Sequence, residues 1–534
     1  MLDVDHDGLL GPADYIDGFS DAEAGGYVCG DTTATGPLAV TELTYDLSGA
    51  AFDAQNTFFP TNIASMGKLP LVVVSHGNGH NYQWYDHVGV HLASRGYVVM
   101  SHENNTVPGV ESAATTTLTN TEAFLSNLAT IGGGVLLDHV DRRRMTWLGH
   151  SRGGEGVVIA YDRIVDGAYV PVNFTLTDIK LVSSIAPVDF QKLPNTDPHG
   201  VNYHLWTGGS DNDVNGCASC DLCQTFHLHE RATGFRQSIS LHGVGHGDFH
   251  NGGGSSVATG PCLVGRPDTH KIVKGYVFPL VERYIDANVP AKDFLTRQWE
   301  SFRPIGAPVS PCVVVDLMYR DGAAPGRIVL DDFQANPGLN ASSLGTPIAF
   351  TVANVTEGHL DDPDTTFTHN AAQPMNSMTL NGDGTDTSAG VVFDWNNADT
   401  YYAYIDPSGG GVPVGLWKLL SFRAAQASRH PNTTAALADL TFDVTLIDVN
   451  SVTSRVNIGA YGGGIEEPYQ RTSCGTGSGW AAEFETIRIP LQAFAANGSG
   501  IDLNKITVIG FEFGPSHGSA VGRIGLDQVE LLLD

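Results

Sequence analysis

The sequence predicts two unlike halves: an α/β domain built on a mostly parallel sheet with helices on both faces, followed by an all-β sandwich. Three observations carry this. Up to about residue 300, continuous apolar runs alternate with helix-spaced segments, as expected of strands buried on both faces and joined by crossover helices. After the Pro-rich stretch 304–311 the chain turns to short alternating segments separated by Gly, Asn and Pro. Glycine, at 63 of 534 residues, is about 12% against a usual ~7%, which suits a loop- and strand-rich protein.

The elements follow in order. Residues 1–30 form an acidic leader, in which Asp3, Asp5, Asp7, Gly8, Leu9 and Asp14 have the spacing of a calcium loop, Leu9 serving through its carbonyl. Asp14 stands where such loops carry a bidentate Glu, so binding is expected to be weak, and a solvated acidic leader is the alternative. Residues 31–305 make the α/β domain. Its predicted strands are Leu69 to Ser75, Gly96 to Ser101, Met145 to Gly149, Ile179 to Pro187, Tyr203 to Thr207 and a last one near 237–242. Segments 82–94, 120–138, 152–166 and 270–287 have helical spacing. Residues 306–327 read as a linker and 328–534 as the sandwich, with strands at Thr441–Asp448, Val452–Ile458, Ile487–Leu491 and Ile506–Phe513.

Composition narrows the function. Lys+Arg 28 against Asp+Glu 58 gives a net charge of −30, which repels phosphate backbones and disfavours nucleic acid as a partner. No apolar run reaches the length of a membrane span. Eight Lys accompany twenty Arg, an acidic, Lys-poor surface that suits salty water. Seven Cys, three of them within residues 217–223, suit an oxidising compartment, and a secreted protein with its signal removed is expected.

Gly149-His150-Ser151-Arg152-Gly153 is a G-x-S-x-G that lies where an apolar strand meets a helix-spaced segment. Such a turn needs glycines because backbone comes close to a residue in strained dihedrals, and it lifts the serine Oγ out of the sheet. A serine needs an imidazole to take its proton and a carboxylate to fix that imidazole's tautomer. Gly208-Gly-Ser-Asp211-Asn-Asp213 follows a later strand and Gly243-Val-Gly-His246-Gly-Asp-Phe249 comes after it, giving the chain order Ser, Asp, His. Asp211 is the preferred acid because it directly follows the strand-ending Gly-Gly-Ser, with Asp213 in reserve. Among His242, His246 and His250, the flanking glycines and Phe249 select His246. Main-chain N–H groups of Arg152, after the nucleophile, and of Asn78, in the turn His76-Gly-Asn-Gly79, are the candidate oxyanion donors.

Residues 70–285 resemble the α/β-hydrolase serine esterases, in particular the branch without a cap domain that holds enzymes similar to dienelactone hydrolases, platelet-activating-factor acetylhydrolases and cutinases or polyester hydrolases. The motifs are PLVVVSHGNG, LASRGYVV, VDRRRMTWLGHSRGG, GGSDNDV and GVGHGDF. The resemblance implies Ser151, His246 and Asp211 as a triad, with Asn78 and Arg152 at the oxyanion. It implies no catalytic cofactor. About fifteen residues separate the strand ending near Pro187 from that beginning near Tyr203, too few for a cap, so an open groove for bulky or polymeric esters is expected, lined by Tyr82, Trp84, Tyr85, Phe190 and Phe249. Val188 stands where polyester-degrading relatives usually carry Trp after the proline, and His150 replaces the Trp some have before the nucleophile.

Cys217, Cys220 and Cys223, with His227 and His229, have a spacing zinc accepts. Disulfides are the preferred reading, since the triad chemistry needs no metal. Residues 328–534 resemble jelly-roll carbohydrate-binding modules whose first and last strands lie side by side. That resemblance implies a structural calcium shared by Asp332 and Asp527, and sugar or polymer stacking on Trp395, Tyr401, Tyr402, Tyr404, Trp417 or Trp480, for which the sandwich core is the alternative. The function expected is a secreted serine carboxylesterase with a polymer-tethering second domain. The alternatives are a carbohydrate esterase deacylating polysaccharide and a polymer-binding protein with a vestigial hydrolase fold.

Overall fold

The computed structural model describes residues 31–214, 226–254, 256–296, 306, 308, 310, 312–321, 326–334, 338–360, 368–376, 378, 388–461, 463–472 and 480–533. The leader carboxylates Asp3, Asp5, Asp7 and Asp14 with Leu9, and the cysteines Cys29, Cys217, Cys220, Cys223 and Cys474, lie outside these residues.

The first sheet contains β1 (Val40–Asp46), β2 (Ala54–Pro60), β3 (Leu69–Ser75), β4 (Val98–His102), β5 (Val140–His150), β6 (Ile179–Ile185), β7 (Tyr203–Gly208), β8 (Phe235–Leu241) and β9 (Val315–Asp321), in the order β1-β2-β4-β3-β5-β6-β7-β8-β9. From β4 to β8 the strands run parallel, and β1, β2 and β9 add antiparallel edges. The β-branched run Val72-Val73-Val74 is wholly buried at the sheet's centre, as a strand covered on both faces must be. Helices α1 (Asp86–Ala93), α2 (Val110–Ser126), α3 (Arg152–Val165), α4 (His227–Arg231) and α5 (Arg266–Asp286) connect the strands. Helix α1 packs with α5 and α2 with α3, two pairs flanking the sheet.

Two expectations shift here. The helix expected at 120–138 begins at Val110 and ends at Ser126, because Gly132, Gly133 and Gly134 all take positive φ and break the helical path. The segment read as linker contributes β9, whose register with β8 runs from Phe235 opposite Asp321 to Leu241 opposite Val315.

The second half is a sandwich of antiparallel sheets. Its strands are β10 (Arg327–Asp331), β11 (Ile348–Phe350), β12 (Ala353–His359), β13 (Ala389–Trp395), β14 (Asp399–Tyr404), β15 (Leu419–Gln426), β16 (Asp443–Asp448), β17 (Thr453–Asn457), β18 (Glu485–Pro490), β19 (Ile506–Phe513) and β20 (Gly522–Leu532). One sheet has the order β12-β13-β20-β15-β18 with β10 also paired to β20, so the first and last of these strands do lie side by side. The other has the order β11-β14-β19-β16-β17. Phe393, Trp395, Phe422, Phe442, Phe511 and Phe513 fill the space between the sheets.

The sandwich is seated on the first half rather than hung from it. All eleven residues of β20 are buried, because one face meets the sandwich core and the other faces the α/β region. Thr486 Oγ1 of β18 accepts the N–H of Tyr319 at 2.8 Å and donates to its carbonyl at 3.1 Å. Glu230 of α4 takes Arg320 at 3.0 Å and Arg423 of β15 at 3.5 Å across the boundary. Burial opposes its ionisation, but Arg423, Arg236 and Arg320 outweigh that and hold it well below the usual carboxylate range.

The same seating fixes the surroundings of the two aspartates expected to share calcium. Asp527 is fully buried, and its carboxylate is bound by Nε of Arg423 at 3.1 Å and by Nη2 of the same side chain, so a guanidinium occupies the place a cation was expected to take. Asp332 instead accepts from Ser343 Oγ at 2.6 Å and from the Gln334 N–H at 3.1 Å. Trp395 and Tyr401 are core residues, whereas Tyr402, Tyr404, Trp417 and Trp480 are only partly covered.

Candidate active site

Ser151 sits between β5 and α3 with φ +56° and ψ −125°, a conformation that side-chain-bearing residues hold only when their surroundings enforce it. The enforcement is visible. Ser151 N–H donates to the Ile185 carbonyl at 2.8 Å, tying the turn to β6. A Cβ at Gly149 would lie 2.2 Å from the Gly153 carbonyl oxygen, and one at Gly153 would lie 2.4 Å from that of Ser75, so the turn closes only with glycine at both places.

Arg152 opens α3, where main-chain N–H groups have no acceptor within the helix. Its side chain turns aside, donating to the Thr106 carbonyl at 2.8 Å and lying over the Phe190 ring. The turn after β3 approaches from the other side: a Cβ at Gly77 would be 2.7 Å from Ser151 Cβ, which brings Asn78 to the nucleophile's flank.

Asp211 Oδ2 lies 2.8 Å from His246 Nδ1, the carboxylate fully buried and the imidazole almost so. Asp211 Oδ1 accepts from the N–H groups of Asp213 and Val214, which fixes the carboxylate's orientation. Asp213 takes the other edge of the ring, 3.5 Å from Nε2, and is half exposed. The two carboxylates are thereby separated by geometry: Asp211 faces the inner nitrogen and Asp213 the outer one. Burial depresses the His246 pKa, but the charge and hydrogen bond of Asp211 and the charge of Asp213 overcome it and leave the ring raised above its ordinary value. Among the described residues its Nε2 is buried without a hydrogen-bond partner.

Three imidazoles that the sequence reading did not bring together surround this pair. His150 lies 4.8 Å from His246 between ring centroids, His80 lies 4.8 Å from His150, and His250 lies 4.3 Å from His80. Tyr85 Oη bridges His80 Nδ1 at 3.1 Å and His150 Nδ1 at 3.0 Å. Burial, then the neighbouring rings, drives His150 well below its ordinary pKa, and burial with Arg266 brings His250 to about 4. The cluster is uncharged at neutral pH. Sixteen of the twenty His precede residue 311, the one sequence signal that pointed to it.

The groove residues divide. Trp84 and Tyr82 are half-buried at the rim, and Phe190 is 40% exposed. Tyr85 and Phe249 are buried beneath the site instead of lining it, Tyr85 because its hydroxyl serves the two imidazoles and Phe249 because it packs near His150. Glu155 in the first turn of α3 accepts the N–H groups of Phe190 and Gln191 at 2.9 and 2.8 Å, which holds the rim loop. Burial, then the charge of Asp189, pushes its carboxyl up to about 7.

Residues 29–172 match the PETase family, described as PET hydrolase-like. The matched stretch covers β1 through α3 and includes Asn78, Ser151 and Arg152. The match supports a polyester-hydrolase-like branch of the α/β-hydrolases for this stretch, and an ester hydrolase as the enzyme class. No curated protein matches the chain.

His227 and His229, weighed for zinc, each commit Nδ1 to a carboxylate, of Asp189 at 3.0 Å and of Glu230 at 3.1 Å. Among the described residues, Asp162, Asp166 and His199 bring metal-capable atoms within 4.8 Å of one another. His199 Nε2 is already 2.6 Å from Asp162 Oδ1.

Proposed function

We propose that this hydrolase uses Ser151 as nucleophile, His246 as general base and acid, and Asp211 as the group orienting His246, acting outside the cytoplasm on bulky or polymeric esters. The observation that carries the reading is the strained Ser151 turn, whose preceding residue His150 lies 4.8 Å from His246 between ring centroids, together with a buried Asp211–His246 pair whose outer nitrogen has no hydrogen-bond partner among the described residues. Ser151 Oγ attacks the ester carbonyl carbon as its proton passes to His246 Nε2. Asp211 accepts the Nδ1–H, keeping Nε2 free to receive that proton and stabilising the imidazolium that results. The N–H groups of Arg152 and Asn78 receive the oxyanion, each such donor being worth about 10²–10³ in rate. Collapse breaks the bond to the alcohol oxygen, which leaves with the proton from Nε2. Water, deprotonated by the same nitrogen, then releases the acid and restores Ser151.

Residues 186–202 join β6 to β7 without room for a cap, and exposed Phe190 on this loop and Val107, next to the Thr106 whose carbonyl holds Arg152, offer apolar surface near the nucleophile turn. Such an open, apolar site supports large hydrophobic esters. The Cys262–Cys312 disulfide supports an oxidising compartment.

Hydrolysis of a short-chain p-nitrophenyl ester by wild type and by Ser151→Ala tests the mechanism. A loss of more than about 10³-fold with an unchanged circular dichroism spectrum is expected, and equal rates would sink it. Release of soluble acids from polyester film in preference to acyl groups from xylan is the outcome expected for substrate.

A further inference from the structure

We propose that Tyr469, in the sandwich, is a positioning residue for the Asp211–His246 pair, so that the second domain acts on catalysis and not solely on location. The inference rests on the triad reading above. Three features make the connection.

Tyr469 is buried at the boundary, and glycines of the α/β region shape its seat. A Cβ at Gly260 would lie 2.1 Å from Tyr469 Oη, and one at Gly209 would lie 3.5 Å from its Cβ and Cδ1. Gly209 is two residues before Asp211. The Tyr469 hydroxyl donates to the Cys262 carbonyl at 2.6 Å, and its ring faces that of His242, 5.5 Å away, four residues before His246. The side chain thus touches both loops that carry the pair.

A run of backbone pairing continues from the sandwich to the acid. Thr472 N–H donates to the Thr259 carbonyl at 2.5 Å, and the two hydroxyls lie 2.6 Å apart. One residue earlier, Ala258 N–H donates to Ser210 O at 2.8 Å, and Val257 bridges Asp211. Ser256 O then accepts from Asn212 N–H at 2.9 Å and from His246 N–H at 3.4 Å. Residues 256–259 are therefore a short splint with the acid and base on one end and the sandwich on the other.

Tyr469 is itself fixed. Its N–H and C=O pair with Ala481 at 2.8 and 2.9 Å, so the ring is presented from a backbone bridge paired on both sides. Displacing it leaves the Gly209 and Gly260 loops without their packing partner, and a shift of about 1 Å at a catalytic pair costs on the order of 10²-fold.

Tyr469→Leu keeps an apolar side chain in the seat while removing the ring and hydroxyl. Its kcat on a soluble p-nitrophenyl ester should fall about 10- to 100-fold with KM nearly unchanged. The downfield proton resonance of His246 Nδ1–H, which reports the bond to Asp211 without any turnover, should shift or broaden. Tyr469→Phe, retaining the ring, should recover kcat to within about threefold of wild type. Gly260→Ala, which displaces Tyr469 from the opposite side, should reproduce the loss and serves if the leucine variant does not fold. If Ser151→Ala is inactive while a folded Tyr469→Leu or Gly260→Ala keeps kcat within about twofold of wild type and an unaltered resonance, this inference alone is overturned. If Ser151→Ala retains activity, the triad reading falls first.

Discussion

Asp211 and Asp527 are both fully buried aspartates, one at the sheet's edge and one in the sandwich strand that faces it. Each holds a basic side chain through close contacts, His246 in the first case and Arg423 in the second. The partners differ in what a proton does to them. A guanidinium stays charged throughout the range in which proteins fold, so Asp527 and Arg423 form a permanent pair with no proton to pass. An imidazole titrates near neutrality, so the same carboxylate chemistry at Asp211 yields a group poised to gain and lose a proton at its outer nitrogen. The comparison teaches that a buried acid is defined by its partner: one pairing locks two domains together, and the other is built to cycle.

The largest effect expected from breaking this contrast is at Asp211. Asp211→Asn should keep the fold and lower kcat by about 10⁴, because an amide that donates to Nδ1 favours the wrong tautomer; steady-state rates on a soluble ester measure it. Arg423→Met should do the reverse, leaving the triad geometry alone and costing about 3–5 kcal/mol of stability by stranding the Asp527 carboxylate, read from urea unfolding. Replacing both, Arg423→Met with Asp527→Leu, should restore most of that loss, whereas no second change at His246 rescues Asp211→Asn. The smallest effect is at Asp213. His246 must be neutral to accept the serine proton, and its pKa is raised, so kcat/KM should rise with pH through a limb above 6.5. Asp213→Asn removes one of the charges that raise it and should move that limb to lower pH. A limb that stays in place would show that Asp213 does not reach the ring in solution.

The parallel strands were legible because Val-rich runs such as 72–74 admit no other placement than a sheet covered on both faces. Helix α2 was mislocated because its run of threonines, Thr115 to Thr117 and Thr119, blurs the apolar spacing, and those hydroxyls return to carbonyls of the preceding turn in the structure. Strand β9 was hidden both by the Pro-rich signal and because Leu317-Met318-Tyr319 breaks apolar–polar alternation, both faces of the strand being buried. The proximity of Asp211 and His246 followed from chain order and turn glycines. The imidazole cluster did not, since His80 and His250 come from separate loops, His150 ends β5, and the three converge only in space. The sandwich was read as a tether because alternation marks which residues leave the core without saying what covers them. Arg423, Asp527 and Glu530 point away from the sandwich interior and are nonetheless buried, under the α/β region.

The uncharged histidines have a consequence for an enzyme whose product is an acid. His76, His229, His250 and His270 are held to about 4, with burial the first cause in each, and His91 and His102 to about 3. The unfolded chain binds protons at these rings below about pH 6.5 while the folded chain does not. Each ring therefore steepens the loss of stability by up to about 1.4 kcal/mol per pH unit between 6.5 and its folded value. Every ester cleaved releases a carboxylic acid, and on a poorly buffered solid surface that acid accumulates where the enzyme sits. These buried histidines thus make the protein's lifetime on its substrate a function of how quickly its own product diffuses away.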